Sequence, residues 1–262
     1  MSLIKSVKPE AVALGMVIAA IAVMLILFLA SYATQGERPT FVTAHVINLD
    51  RDVKKRAAFE RQASRCGLSV ERWAATYGKD LHAETLYKQG IGTVIVIAGK
   101  GAYGKDQWKD LRNLGAVGCF LSHRSLLQHC ATLPVSDWAG HLILEDDATL
   151  SDDFQAKWDT VRQTIPKDWD MIYLGVNWPT GDAVGADCLK LKDRGDTGNN
   201  TGTHGYIVRH GALRASVLPL LENMTDAIDQ MYKRLFDRIN VYATKTPLVE
   251  TDADLESTIQ TM

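Results

Sequence analysis

The chain has 262 residues, of which 46% are hydrophobic and 23% are charged. That is enough to bury a full core, in one domain of enzyme size or in two small ones. The formal net charge of −2 at pH 7 argues against a nucleic-acid partner, which would require a basic face. The cysteines have no CxxC spacing, so we predict core thiols rather than a zinc site or a disulfide framework at Cys66, Cys119, Cys130 and Cys188.

The first part of the chain is dominated by an apolar segment. Residues 11–29 read AVALGMVIAAIAVMLILFL, which supplies the roughly 20 apolar residues that a helix needs to cross a bilayer. We therefore predict a short tail over residues 1–10, a transmembrane signal-anchor over 11–33 and a linker over 34–40. A cleaved signal peptide is the alternative, because the small residues around Ala33 offer a cleavage site.

After the linker, predicted strands and helices alternate along the chain. The first strand covers residues 45–49, and the helix at 53–66 starts after Asp52 and stops at Gly67. Further strands are predicted at 70–74, 142–144, 170–174 and 206–208, further helices at 116–132, 152–165 and 210–221, a strand or packed loop at 93–97, and flexible loops at 90–106 and 181–202. This alternation predicts an α/β sandwich with a mostly parallel sheet.

Three consecutive carboxylates, those of Glu145, Asp146 and Asp147, follow the apolar strand predicted at 142–144. Their charges repel one another, so a fold that places them at the end of a core strand normally neutralises them with a hard cation or a basic side chain. In an extended segment Glu145 and Asp147 point to the same side, where they can share one ion. The motif therefore indicates either a divalent-cation site or an acidic turn that follows a strand.

Polar side chains also follow the first predicted strand. Ligands of open α/β sheets bind at the carboxyl ends of the strands, and Asn48 lies at such an end. The guanidinium groups of Arg51 and Arg56 suit a diphosphate, because they pair with phosphate oxygens through two hydrogen bonds. A solvated helix face is the alternative, and it is the interpretation that we favour for Lys54 and Lys55.

The predicted helix 116–132 carries polar residues on its apolar face. Ser122 and His123 follow Cys119 by three and four positions, so all three lie on one stripe. An inward histidine is either a hydrogen-bonded core group or a ligand, and the sequence leaves both open. His204 lies beside a predicted loop and is a further candidate metal ligand.

Taken together, these motifs resemble glycosyltransferase family 25, which includes bacterial lipooligosaccharide galactosyltransferases and collagen galactosyltransferases. The resemblance covers residues 41–262, which we assign to one glycosyltransferase domain. The matching segments are VINLDR at 46–51 with Arg56, GAVGCFLSH at 115–123, LILEDD at 142–147, DWDMIYLG at 168–175, Gly202-Thr203 with Tyr206, Gly211-Ala212, Ile228-Asp229 and PLV at 247–249.

The resemblance implies a fold, a donor and an acceptor. The fold is a GT-A-like (Rossmann-like) α/β/α sandwich, here preceded by an N-terminal transmembrane helix. The donor is a UDP-sugar, most often UDP-galactose, used together with Mn²⁺ or Mg²⁺. The sugar is transferred with inversion to a glycan, a lipid-linked sugar or a protein. A catalytically inactive, membrane-tethered glycan-binding protein of the same fold is the alternative, and a metal-dependent phosphoesterase is a third interpretation.

The resemblance also implies roles for individual residues. Glu145, Asp146 and Asp147 stand where the family keeps its metal-binding motif. Inversion requires a carboxylate that takes the proton of the acceptor hydroxyl; Asp229 matches the family's late Asp motif, and Asp226 is the second candidate. Contacts to the nucleotide sugar are expected from Asn48, Arg51, Arg56, Ser122, His123 and Tyr206.

The flanking charges predict the side of the membrane. Lys5 and Lys8 precede the apolar segment, whereas Arg38 follows it, which favours an N-terminus in the cytosol. A single-pass type II protein would then place its domain in the lumen of the Golgi or endoplasmic reticulum. In a bacterium we expect the domain at the cytoplasmic face instead, because nucleotide sugars are not expected in the periplasm.

Overall fold

The structure is a computed structural model, and it describes residues 18, 21–24, 37–82, 86, 91, 114–193, 195 and 199–251. Residues 1–37 form a unit of their own, in which residues 18 and 21–24 are helical and exposed. The rest of the predicted tail and signal-anchor, and residues 34–36 of the linker, lie outside the described residues, as do the predictions at 93–97 and nearly all of 90–106. Within the described part of the chain, no helix has both the length and the apolar character needed to span a membrane.

The second unit, from residue 38 onward, is built around an eight-stranded sheet in the part that the structure describes. The strands are β1 Phe41–Asn48, β2 Glu71–Ala74, β3 Gly140–Glu145, β5 Met171–Asn177, β6 Gly181–Ala183, β7 Cys188–Leu191, β8 Thr201–Arg209 and β9 Val241–Thr244, and a separate antiparallel ribbon joins β4 Ala148–Leu150 to β10 Val249–Thr251. The strand order in the sheet is β2-β1-β3-β8-β5-β9-β7-β6, and all of these strands except β7 and β8 run in one direction. The predicted mostly parallel α/β sheet is thereby confirmed.

Helices cover both faces of the sheet. They are α1 Val53–Arg65, α2 Leu114–Cys130, α3 Phe154–Val161, α4 (His210–Ala212, continued by a π-helical turn at Leu213–Val217 and by Leu218–Leu220) and α5 Ile228–Lys233, with a 3₁₀ turn at Gly78–Asp80. The buried side chains of α2, α4 and α5 share one apolar core, and those of α1 and α3 share another. Because each helix hides its apolar stripe against the sheet, the domain has the three layers expected of a sandwich.

Helix α1 confirms the predicted stop at Gly67. This glycine adopts φ +68°, a left-handed conformation that side chains disfavour. Its N–H donates to the carbonyl of Ser64 at 3.1 Å, and the N–H of Leu68 donates to that of Ala63 at 2.9 Å, which satisfies the last carbonyls of the helix. The helix starts after Asp52 as predicted, and the Asp52 carboxylate makes no cap hydrogen bond.

Two predictions of local structure were wrong. The stretch 181–202, predicted as a loop, contains β6 and β7, which pair antiparallel with each other. These strands are only three and four residues long, and β7 is held from outside by its pairing with β9, so local patterning carries little signal for them. The helix predicted at 152–165 ends at Val161, and turns follow it.

A cluster of histidines lies at the amino end of β3. His141 is fully buried; its Nε2 lies 3.0 Å from Nδ1 of His210, and its Nδ1 lies 2.9 Å from the hydroxyl of Thr43. Burial, and then the nearby His210, His45 and His129, lower the pKa of His141 to about 4. The folded state therefore keeps this imidazole neutral.

We predict that the His141 cluster makes the fold sensitive to acid. The unfolded chain takes up a proton near pH 6.5, whereas folded His141 does so only near pH 4. Its stability contribution is therefore intact above about pH 6.5 and is lost as the pH falls towards 4, by on the order of 3 kcal/mol in the free energy of unfolding. Urea unfolding between pH 7 and 4 should show a smaller pH dependence in His141→Gln than in the wild type. Equal pH dependence in the two proteins would contradict this account.

Candidate active site

The carboxyl ends of β1 and β3 bring the predicted residues together. These strands are parallel, and Ile47 is paired with Glu145, so the residues that follow them emerge side by side. The amide Nδ2 of Asn48 donates to Oδ2 of Asp146 at 2.6 Å. The acidic cluster thus lies at the edge of the sheet where α/β proteins bind their ligands.

The side chain of Asn48, which we predicted to contact the donor, is engaged by protein groups. Its side chain is buried, and its Oδ1 accepts a hydrogen bond from Nε of Arg72 at 3.0 Å, while Arg72 also bonds the Asn48 carbonyl at 3.1 Å. Both ends of the amide are therefore occupied by protein groups. We conclude that Asn48 positions Asp146.

Glu145 is held by two side chains. Its Oε1 lies 3.2 Å from Nε2 of His123 and accepts a hydrogen bond from the hydroxyl of Thr203. Burial alone would raise the pKa of the Glu145 carboxyl, but the hydrogen bonds from His123 and Thr203 outweigh burial and leave this pKa below its ordinary value. Glu145 is therefore a fixed carboxylate.

His123 connects the acidic cluster to the core. It is fully buried, and its Nδ1 lies 2.9 Å from the hydroxyl of Tyr206, which in turn lies 3.1 Å from the hydroxyl of Tyr232. In the structure His123 is hydrogen-bonded, and its Nε2 points to Glu145, so both interpretations that the sequence left open are compatible with its contacts. Tyr206, predicted to contact the donor, is itself buried behind this histidine.

Asp147 is the least satisfied carboxylate of the cluster. Its Oδ1 is buried and has no hydrogen-bond partner among the described residues. Burial, and then repulsion from Glu145 and Asp146, raise the pKa of Asp147 to about 7. A buried, unpaired carboxylate oxygen beside two further carboxylates matches the oxygen ligands that Mg²⁺ and Mn²⁺ prefer, so these residues fit a divalent cation.

A cleft opens over the cluster. It encloses about 540 Å³ of empty space, part of which is open solvent. The side chain of Lys55 faces it, in contrast to the solvated position that we favoured for this lysine. The lining residues are Ile47, Asn48, Leu49, Asp52, Lys55, Ala75, Thr76, Gly115, Cys119, Ser122, His123, Glu145, Asp146 and Asp147.

Three of the predicted donor contacts are engaged by protein groups. Arg51 stacks on the ring of Tyr77, 3.9 Å from its centroid, and Arg56 pairs with Glu60 at 3.8 Å; neither arginine lines the cleft. Ser122 lies in the cleft wall, where its hydroxyl donates to the Gly118 carbonyl at 2.6 Å and accepts the Thr76 N–H at 2.8 Å. Ser122 therefore ties α2 to the loop after β2.

Of the two candidate bases, Asp229 is more closely tied to the site. Its Oδ2 accepts the N–H of Gly202 at 3.2 Å, at the start of β8. Burial raises the pKa of its carboxyl despite the hydrogen bonds from Gly202 and Gln230, and the charges of Asp226 and Glu145 raise it further. The carboxyl of Asp226 instead accepts the N–H of Ala227 at 2.8 Å.

His204 packs against β10. It is buried and bonds the backbone of Val249, so that β10 is drawn against β5. Gly175 makes this approach possible, because a Cβ there would lie 1.7 Å from the Val249 carbonyl oxygen and 2.7 Å from Nε2 of His204. His204 is not among the residues that line the cleft.

Several residues of the site were missed by the sequence analysis. Arg72, Thr203 and Tyr232 reach it from β2, β8 and α5, and their positions depend on strand register and helix packing. Cys119, interpreted as a core thiol, lines the cleft. Its spacing of four from His123 was the one local signal. The other cysteines, Cys66, Cys130 and Cys188, are free and buried as predicted.

A mostly parallel α/β sheet with a carboxylate cluster at its carboxyl edge defines a ligand-binding α/β domain. The sequence model of "Glycosyltransferase family 25 (LPS biosynthesis protein)" matches residues 41–191, which is more than half of the chain. The protein belongs to glycosyltransferase family 25.

Several relatives carry the name "Glycosyltransferase 25 family member". The protein from Drosophila pseudoobscura pseudoobscura is 27% identical over 202 residues, which cover 74% of this chain and 30% of the relative. The protein from Anopheles gambiae is 29% identical over 133 residues, or 50% and 21% of the two chains. The chain thus spans less than a third of the length of these relatives. The structure of mouse xyloside xylosyltransferase 1 in its apo form aligns with 78% of each chain, at 9% sequence identity and a TM-score of 0.35.

The Tyr206 hydroxyl should stabilise the fold, whereas that of Tyr173 should not. Both tyrosines are fully buried, and their ring centroids lie 6.1 Å apart. Tyr206→Phe removes the hydrogen bonds of this hydroxyl to Nδ1 of His123 and to the Tyr232 hydroxyl, and should cost about 1–3 kcal/mol in the free energy of unfolding. Tyr173→Phe is the matched control, because its hydroxyl has no hydrogen-bond partner among the described residues, and it should be neutral or stabilising. Equal losses in chemical denaturation would contradict this assignment.

Proposed function

We propose that the domain transfers a hexose, galactose in the first instance, from a UDP-sugar to a hydroxyl of a glycan, a lipid-linked sugar or a protein, with inversion and with a divalent cation. Family membership supports sugar transfer from a nucleotide donor. The observation that carries the proposal is the buried, unpartnered carboxylate oxygen of Asp147 beside Glu145 and Asp146 in an open cleft. A fold that served only to bury this motif would have given that oxygen a partner.

The cation and the diphosphate would share the cleft. Glu145, Asp146 and Asp147 are the residues that would hold Mn²⁺ or Mg²⁺, which supplies positive charge for the diphosphate leaving group when bound. Lys55 lines the same cleft, and its charge acts on both Asp146 and Asp147. It can therefore help to orient an anionic donor in the cleft.

Asp229 is the residue that we assign as the general base. In an inverting transfer, the acceptor oxygen bonds to the anomeric carbon while the bond to the UDP oxygen breaks, and the acceptor proton must pass to a base. Asp229 lies close enough to Cys119 and Glu145 for its charge to act on both, and the Gly202 N–H fixes its carboxylate. These contacts support a base that is fixed near the acidic cluster, although Asp229 is not among the residues that line the cleft.

An exposed tryptophan beside the site supports a sugar acceptor. Trp178 directly follows β5; it is 69% exposed and has φ +46°, a conformation that is strained for a bulky residue. The turn is locked by Asn200, whose side chain bonds Thr180 at 2.7 and 3.0 Å. An exposed indole face packs well against a sugar ring. Trp178 follows Asn177, which pairs with Thr201, and the next residue after Thr201 is Gly202, which donates to Asp229.

The wider architecture of the protein is part of the proposal. We infer a GT-A-like sandwich from the mostly parallel sheet with the antiparallel β8 inserted beside β3. The apolar segment 11–29 supports a membrane anchor of type II topology, with the domain in the Golgi or endoplasmic reticulum lumen, or at the cytoplasmic face in a bacterium.

The proposal is tested by UDP release from the full-length protein in detergent, with a panel of UDP-sugars and sugar acceptors. Release from one donor should require Mn²⁺ or Mg²⁺, stop with EDTA, and fall at least about 100-fold in Asp147→Asn. Asp153→Asn is the matched control, because Asp153 is an exposed residue paired with Lys157 and should leave release unchanged. Donor binding without turnover would favour the inactive glycan-binding protein, and phosphate release from simple esters would favour the phosphoesterase.

Substitution separates the two candidate bases. Asp229→Asn should lower transfer by on the order of 10²- to 10⁴-fold, because the acceptor proton loses its destination, while binding of UDP with Mn²⁺ stays within about threefold of the wild type. Asp226→Asn should lower transfer by much less. Calorimetric UDP binding and steady-state kinetics on both variants provide the measurement. The reverse order of the two variants would assign the role to Asp226.

A further inference from the structure

Three different ligand types converge beside the acidic cluster. Cys119, His123 and Glu145 each offer one ligand atom, and these three atoms all lie within 4.8 Å of one another. Nε2 of His123 and Oε1 of Glu145 are 3.2 Å apart. Neighbouring ligands of a tetrahedral zinc ion are separated by about 3.3–3.8 Å, given bond lengths of about 2.0–2.3 Å. Small side-chain rotations would therefore bring the three atoms onto one ion.

The fold prepares this convergence. Cys119 and His123 are four residues apart on α2, so their side chains share one helix face. Glu145 ends β3, the strand on which that face packs. All three residues line the cleft, which leaves a fourth position open towards it. Three protein ligands with an open position form the arrangement of an exchangeable zinc site.

The surrounding hydrogen bonds orient the ligands. The hydroxyl of Tyr206 bonds Nδ1 of His123 at 2.9 Å, which directs Nε2 of His123 towards Glu145. We call Cys119, His123 and Glu145 the triad. The Thr203 hydroxyl fixes Glu145 Oε1 and also bonds the thiol of Cys119. Partners of this kind set the orientation of metal ligands and raise metal affinity.

We propose that Cys119, His123 and Glu145 form a site for Zn²⁺ or another thiophilic divalent cation, distinct from the all-carboxylate set of Glu145, Asp146 and Asp147. Sulfur and imidazole select borderline-soft cations, whereas Mg²⁺ and Mn²⁺ prefer oxygen. Binding releases the thiol proton of Cys119 to solvent and changes no oxidation state. The cleft thus offers two overlapping sites of different chemical preference.

Glu145 belongs to both sets, which gives the site a consequence for activity. An ion held by the triad takes Glu145 from the carboxylate set, so the two cations compete. On the proposed function, Zn²⁺ should therefore inhibit UDP release in the presence of Mn²⁺. This consequence rests on the transferase proposal, whereas the binding site does not.

Cobalt(II) tests the site without any assay of transfer. Titrated into the full-length protein in detergent, Co²⁺ should give the near-ultraviolet thiolate-to-cobalt charge-transfer band at one ion per chain, and Zn²⁺ should abolish it. The band should be lost in Cys119→Ser and kept in Cys130→Ala, the matched control on the same helix, whose buried thiol lies outside the triad. No band in the wild type, or a band that survives in Cys119→Ser, would overturn the proposal.

X-ray absorption of the zinc-loaded wild type decides the matter even if Cys119→Ser does not fold. One sulfur neighbour at about 2.3 Å is expected, and a zinc shell without sulfur would overturn the site. If UDP release fails under every condition while the cobalt band is present, the transferase proposal fails and the metal site stands.

Discussion

Repulsion among three adjacent carboxylates at the end of β3 is the constraint on which the rest of the site depends. Glu145, Asp146 and Asp147 lie where a core strand meets the cleft, and the protein treats each one differently. Hydrogen bonds from His123 and Thr203 hold Glu145 as a carboxylate, and the amide of Asn48 supports Asp146. Asp147 is left with a buried oxygen that has no partner among the described residues. The local energy of the fold is therefore lowest when positive charge enters the cleft.

The elements around the cluster serve this arrangement. Arg72 on β2 holds Asn48, and the Tyr206–Tyr232 pair behind α2 holds His123. These supports lie in the apolar cores or at strand ends, where few rotamers are available, so the ligand atoms are positioned before any ligand arrives. Rigid support of this kind suits the proposed binding of a cation and a diphosphate.

The sequence predicted the sheet and the acidic cluster because both are encoded locally. The apolar run before Glu145 and the stop at Gly67 each depend on a few neighbouring residues. Local patterning did not identify β6 and β7, which depend on pairing with β9, nor Arg72 and Thr203, whose approach depends on strand register. The same limit applies to Arg51 and Arg56, because their residue type suits a phosphate but does not reveal their contacts with Tyr77 and Glu60.

Calorimetric titration of Mn²⁺ into the full-length protein, in the absence of any sugar nucleotide, tests the central claim most directly. Binding of one ion per chain in the wild type and in Asp153→Asn, weakened at least about tenfold in Asp147→Asn, is the result expected if the three carboxylates hold the cation. Equal affinity in all three proteins, or no binding in any of them, would show that the unpaired oxygen of Asp147 serves another purpose.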